Sequence, residues 1–254
     1  EMKKEKRFLK EDLSLYGGNP VRKKMPELKV LAGEDEIRRV KKIMKSGRIT
    51  ALSNGVVEEF EKEFARYCGT RYAVAVNSGT AALHVALAAL DVGPGDEVIV
   101  PPYTFIATAS AVLQQNAVPV FADVDPATLN IDPDEIEKKI TPRTKAIVPV
   151  HLFGLPADMD RINSISKKHG IPVVEDACQA HGGEYFGKRT GSLADMGCFS
   201  FQESKNMTTG EGGMITTDDA DLAEKCSIIK HIGMAGKYNY VTLGYNYRLP
   251  AMSA

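Results

Sequence analysis

Apolar positions recur along this chain in two rhythms that take turns. Ile37, Val40, Ile43 and Met44 fall at helical spacing over Glu34–Lys45, and Val57, Phe60 and Phe64 do the same over Val56–Tyr67. Beyond them, short apolar runs alternate with amphipathic stretches. The runs Ala73–Val76, Glu97–Val100, Val118–Ala122, Ala146–Val150, Pro172–Glu175, Gly197–Phe201 and Met214–Thr217 predict strands. The stretches Ala81–Leu90, Thr104–Gln115, Asp132–Ile140, Asp158–His169 and Leu222–His231 predict helices. Ser78-Gly79-Thr80 opens the first of these, and Gly93-Pro94-Gly95 ends it.

Alternation of this kind implies an α/β fold, with a mostly parallel sheet between helical layers. Ligands of such sheets bind beyond the carboxyl ends of the strands. That rule selects three places: Asn77-Ser78-Gly79-Thr80, Asp176-Ala177-Cys178-Gln179, and the segment around Lys205. The first 26 residues carry no sustained apolar period and include Gly17-Gly18-Asn19-Pro20, so they predict an N-terminal arm. Residues 27–254 then form one large domain. Pro250–Ala254 reads as the start of another helix, so the chain is expected to be truncated before a small C-terminal domain.

Composition narrows the function classes. A net charge of −1 gives no field to attract nucleic acid or an anionic membrane, so neither is expected as a partner. No apolar run reaches transmembrane length. Cys68, Cys178, Cys198 and Cys226 form no CxxC pair and, with no secretory signal apparent, predict reduced thiols in a cytoplasmic protein. The five histidines lack ligand spacing, so no metal site is expected.

Lys205 lies between the apolar run ending at Phe201 and a turn with Gly210, Gly212 and Gly213, among small hydroxyl and amide residues. Desolvation and close packing push an ammonium toward the neutral amine that attacks carbonyls, so Schiff-base chemistry is the first hypothesis for it. A solvated lysine beside a Gly-rich hairpin is the plain alternative. At Asn77–Thr80 the first N–H groups of a helix suit a phosphate, with Gly79 permitting close approach and the Ser78 and Thr80 hydroxyls adding donors. An ordinary N-cap explains the same residues. Asp176 leaves a strand at the sheet's carboxyl edge, where its carboxylate would pair a protonated pyridine nitrogen or else cap a helix. Gln179 is placed to reach the hydroxyl of the same ring or to lie on a helix surface. Tyr103 and Phe105 are the aromatic candidates for stacking on it.

Several of these segments occur together in a familiar order. Asn77-Ser78-Gly79-Thr80-Ala81-Ala82-Leu83, Gly95–Pro101, Thr141–Ile147, Glu175-Asp176-Ala177-Cys178-Gln179-Ala180-His181-Gly182, Phe199-Ser200-Phe201 through Lys205 to Gly213, and Gly244-Tyr245-Asn246-Tyr247-Arg248 closely resemble the DegT/DnrJ/EryC1/StrS sugar aminotransferases, from about Gly17 to the last residue. The resemblance implies a fold-type-I, aspartate-aminotransferase-like large domain and pyridoxal 5′-phosphate as cofactor. It implies Lys205 as the Schiff-base lysine, Asp176 at the pyridine nitrogen and Gln179 at the ring hydroxyl. Ser78, Gly79, Thr80 and Ser200 would hold the phosphate, with Phe105 preferred to Tyr103 on the ring face. Asn246 or Arg248 would reach a neighbouring subunit's cofactor, which implies a homodimer with shared active sites.

The activity so implied moves an amino group from glutamate or glutamine to a keto sugar, a nucleotide-linked 4-keto or 3-keto sugar, in cell-surface polysaccharide or amino-sugar biosynthesis. Other members of the family aminate cyclitols or form aminobenzoates, and Phe201-Gln202 is closer to the aminobenzoate-forming branch. The dehydratase branch carries histidine where this chain has Lys205. A non-catalytic protein that binds the cofactor for regulation is the reading from a different class.

Overall fold

The computed structural model describes residues 18–20, 24, 33–52 and 55–254. The expected arm therefore lies outside the described residues apart from Gly18, Asn19, Pro20 and Lys24. Contacts divide the chain at Lys41/Lys42. Helix α1 (Glu34–Ser46) crosses that point; three acidic residues sit in its first turn and Lys45 in its last, a charge order that suits the helix dipole.

From Val56 onward the elements follow the alternation of the sequence. They are α2 (Val56–Cys68), β1 (Tyr72–Val76), α3 (Gly79–Ala89), β2 (Glu97–Val100), α4 (Ala107–Gln114), β3 (Val118–Phe121), α5 (Pro133–Lys139), β4 (Thr144–Ile147), α6 (Met159–His169), β5 (Val174–Asp176), β6 (Glu184–Tyr185), β7 (Lys188–Arg189), β8 (Met196–Ser200), β9 (Gly213–Thr217), α7 (Ala220–Lys230), β10 (Met234–Gly236) and β11 (Asn239–Tyr240). Strands pair in the orders β1-β9-β8-β5 and β3-β2-β4. Parallel bridges Ile147–Val173 and Val150–Asp176 join the two groups into one sheet.

Alternate strand residues feed opposite faces, as the pleat requires. Val74, Val76, Val98, Val100, Ala146, Val174, Met196 and Cys198 pack with α3, α4 and α7. On the other face, Ile99, Ile147 and Val173 pack with α5 and α6, and Ala75 and Phe199 with α2. Helix α3 is buried nearly all round, which explains its run of alanine and leucine in place of an amphipathic pattern.

Three features depart from the periodicity. Strand β9 runs antiparallel to both β1 and β8, while β2–β3, β2–β4 and β5–β8 are parallel. Helix α4 starts at Ala107 rather than Thr104, because the segment after Pro101-Pro102 is held as a loop in which the Thr104 and Thr108 hydroxyls meet at 3.0 Å. No helix follows Asp176, so the capping alternative for Asp176 and the helix-surface alternative for Gln179 both fall away. The hairpins β6–β7 and β10–β11 have strands of two or three residues, too short to register as a period.

Candidate functional site

Strands β1, β2, β5 and β8 all end on one edge of the sheet, and the three segments selected from the sequence meet there. After β1, Ser78 takes an extended conformation and its Oγ accepts from the Ala81 N–H at 3.0 Å. The carbonyl of Ser78 takes the Ala82 N–H. Ser78 therefore does cap α3, yet its own hydroxyl proton stays free, and the Gly79 and Thr80 N–H groups open the helix without intrahelical partners. Gly79 is required by crowding. A Cβ there would lie 2.7 Å from Ser200 Cβ and 3.0 Å from Cys178 Sγ. Gly213, which opens β9, would drive a Cβ into the Ser78 carbonyl. The end of β8, the start of β9 and the 177–179 turn thus press on the mouth of α3, where the first N–H groups of the helix are donors of the kind that suit an anion.

Asp176 ends β5 and is only 5% exposed. Its Oδ2 accepts from Thr108 Oγ1 at 2.7 Å, and Oδ1 accepts from the Cys178 N–H at 3.2 Å. Its backbone is locked as well, with the N–H donating to Pro149 O and the carbonyl accepting from His151 N–H. Among the described residues no cation forms an ion pair with this carboxylate, although a buried carboxylate calls for one. One position upstream, Glu175 is fully buried and accepts from His151 Nε2 at 2.9 Å and from the Gly191, Leu193 and Ala194 N–H groups. His151 Nδ1 accepts from Ala157 N–H, so the imidazole is the neutral tautomer with its proton on Nε2. This network holds the strand beneath Asp176 in place.

Gln179 has its amide orientation set. Its Oε1 accepts from the Phe153 N–H at 3.0 Å, which leaves the NH2 group as the free end, a donor suited to an anionic oxygen. Phe153 sits at φ 52°, ψ 24°, a left-handed conformation uncommon for a bulky residue. Of the two aromatic candidates, Tyr103 and Phe105 are both exposed, at 49% and 68%. Phe105 is the one tied to the carboxylate, since its carbonyl accepts from the Thr108 N–H.

Lys205 stands on a turn five residues past the end of β8. Its N–H donates to Gln202 O, and Gln202 Oε1 accepts from both the backbone and the hydroxyl of Ser204. The dry surroundings expected for Lys205 are only partly present: the side chain is half-buried, and Glu203, Ser204 and Asn206 beside it are exposed. Its charge is felt at Cys178 and at His181. Burial first, then the Asp176 charge, pushes the Cys178 thiol well above its ordinary range. His181 packs against Phe199 and Phe201 with both ring nitrogens buried, and burial, opposed by the Ser200 backbone and helped by the Lys205 charge, pulls its imidazole down to about 4.

Asn246 and Arg248 lie on the segment that runs back past β1, where Tyr247 O accepts from the Asn77 N–H. Arg248 is engaged within its own chain, its guanidinium 2.9 Å from His231 Nδ1, whereas Asn246 is exposed. Sequence reasoning missed Thr108, the Phe153 N–H and the Glu175–His151 pair. None carries a local signal, because each acts through a residue distant in the chain.

The sequence matches the DegT/DnrJ/EryC1/StrS aminotransferase family over residues 31–254. The chain belongs to that family. It is 51% identical over 200 residues to the GDP-perosamine synthase of Caulobacter vibrioides, a match covering 78% of this chain and 54% of that protein. Its fold overlays 3-amino-5-hydroxybenzoic acid synthase with a TM-score of 0.87 at 40% identity, covering 91% of this chain and 62% of the other. It overlays NtdA of Bacillus subtilis, solved with bound PMP, with a TM-score of 0.83 at 38% identity, covering 98% of this chain and 58% of that one. The chain thus spans a little over half the length of the curated relatives it matches. Among the described residues no helix is long and apolar enough to cross a membrane, and no cluster of ligating side chains suits a metal.

Proposed function

We propose that this chain is the cofactor-binding part of a pyridoxal-phosphate-dependent sugar aminotransferase. The observation that carries the reading is Asp176. It is a buried carboxylate, fixed at both oxygens and with no ion pair among the described residues, on the edge that also presents an anion cradle and Lys205. A protonated ring nitrogen supplies the missing charge, and a phosphate ester suits the cradle, so the residues fit the cofactor. When bound, that cofactor supplies an electron sink that stabilises negative charge on the donor's α-carbon.

Each residue then has a defined task. Asp176 holds the ring nitrogen protonated. The Gly79 and Thr80 N–H groups, with the Ser78, Thr80 and Ser200 hydroxyls, bind the phosphate. The Gln179 amide donates to the ring oxygen, and Phe105 covers one face of the ring. Lys205 would hold the cofactor through its Nζ amine, and that amine would take and return a proton during the transfer. Asn246 is the group free to reach a neighbouring subunit, in a homodimer whose sites are shared, and the protein works in the cytoplasm.

The substrates follow from the family. Glutamate or glutamine gives the nitrogen, and a nucleotide-linked 4-keto or 3-keto sugar receives it, in cell-surface polysaccharide or amino-sugar biosynthesis. A second reading, a cyclitol aminotransferase or aminobenzoate-forming enzyme, is favoured by Gln202 and by the overlay with the aminobenzoate synthase. Visible absorbance of the complete protein tests the cofactor and the lysine together. A band that is lost in Lys205→Ala and bleached by glutamate or glutamine is the expected result. A band indifferent to every amino donor leaves a binding protein, and no band overturns the proposal. A panel of keto sugars and keto cyclitols with mass detection of the product then separates the two acceptors.

A further inference from the structure

Thr108 is 1% exposed, and its single hydroxyl has three oxygens within reach. Asp176 Oδ2 is at 2.7 Å, Thr104 Oγ1 at 3.0 Å and Phe105 O at 3.2 Å. One hydroxyl carries one proton. The carboxylate is both nearest and charged, so it receives that proton. Thr104 must then donate its own proton to Thr108 Oγ1. The Phe105 carbonyl is served in any case by the Thr108 N–H. The order of donation is Thr104 to Thr108 to Asp176.

We infer that this hydroxyl relay is a positioning device for the cofactor ring, an inference that rests on the pyridoxal-phosphate reading above. With Oδ2 held by Thr108 and Oδ1 by the Cys178 N–H, the carboxylate cannot turn about its Cβ–Cγ bond. Its remaining lone pairs keep one direction for the ring nitrogen. The same two hydroxyls bracket Phe105, the residue proposed to cover the ring face. One small network therefore holds both the carboxylate and the backbone of Phe105. A purely structural purpose does not account for it. Helix α4 begins at Ala107 with no side-chain cap, and the hydroxyl chain leads away from the helix end to Asp176, a buried carboxylate with no ion pair among the described residues.

The test uses the complete protein, stripped of cofactor and titrated with pyridoxal phosphate by absorbance. Thr108→Val keeps the shape and removes the donor. It is expected to raise the dissociation constant at least ~10-fold, the scale of a lost hydrogen bond to a charged group, and to move the visible band. The melting temperature of the stripped protein should fall by a few degrees as well, since Asp176 loses the same donor there, so the moved band and the serine rescue are the readouts specific to positioning. Thr108→Ser restores the hydroxyl and should return the constant to within ~3-fold of the parent, while Thr104→Val should weaken binding in the same direction by less. Should Thr108→Val fail to fold, Thr104→Val and Thr108→Ser carry the test alone. The relay is overturned if Thr108→Val binds as tightly as the parent with an unmoved band, or if serine fails to rescue. A parent protein that takes up no cofactor overturns the underlying reading and the relay with it, whereas a parent that binds beside an unaffected Thr108→Val overturns the relay only.

Discussion

Single atoms decide the chemistry of this site. Gly79 has no room for a methyl group between Ser200 and Cys178, so Gly79→Ala should cost about 1–3 kcal/mol through overpacking. Because the strain falls on the cradle, the same change should weaken cofactor binding; denaturant melts and a cofactor titration read the two effects. His181 makes a different prediction. Its folded imidazole titrates at about 4, below its ordinary value of 6.5, so the unfolded chain binds the extra proton first on acidification. Stability should therefore be flat above about pH 6.5 and fall between there and about pH 4, by at most ~1.4 kcal/mol per pH unit from this residue. Urea midpoints measured from pH 4.5 to 7 should show a shallower acid limb in His181→Leu than in the parent. An identical limb in the two proteins would remove His181 from the account.

At the scale of elements, α2, β1 and α7 meet at one polar bracket. Lys230 Nζ donates to Glu61 Oε1 at 2.7 Å and to Ala75 O at 3.0 Å, and the Ala75 N–H donates to the same Glu61 oxygen. Both side chains are mostly buried, at 14% and 19% exposure. Lys230→Met strands the Glu61 carboxylate and should destabilise the protein by about 3 kcal/mol, near the low end for breaking a buried pair. The double variant Lys230→Met/Glu61→Leu should lose less than the sum of the single changes, and chemical denaturation of all four proteins closes that cycle. Element boundaries show where the chain's own rhythm stops being informative. The apolar spacing of Thr104–Gln115 suits a helix throughout, yet the first three residues go to the loop that ties Phe105 to Asp176. Similarly, Asp176 resembles a cap from its neighbours alone, and only the turn after β5 shows that no helix follows it.

For the whole molecule, the prediction concerns pairing. Arg248 makes one hydrogen bond to His231 in its own chain, and Asn246 is exposed, so the pairing prediction is made for Asn246. If sites are shared in a homodimer, a Lys205→Ala subunit and an Asn246→Ala subunit complement each other, since one of the two sites in a mixed dimer then has both residues. Random mixing should restore about a quarter of the parent activity, half the dimers being mixed and half their sites intact. Activity that stays at the level of the separate variants would show that Asn246 serves its own subunit's site.

The alternating architecture and the three segments around Ser78–Thr80, Asp176 and Lys205 are legible in the chain's own pattern. Those are local properties: period along the strand and helix, and residue type at the end of each strand. The antiparallel course of β9, the half-buried setting of Lys205 and the partners that hold each group come from contacts between distant segments. Thr108 reaches Asp176 across 68 positions, and Phe153 reaches Gln179 across 26. A hydrogen bond between residues that far apart leaves no period and no spacing in the chain, because it exists only once the sheet has brought the ends of its strands to one edge.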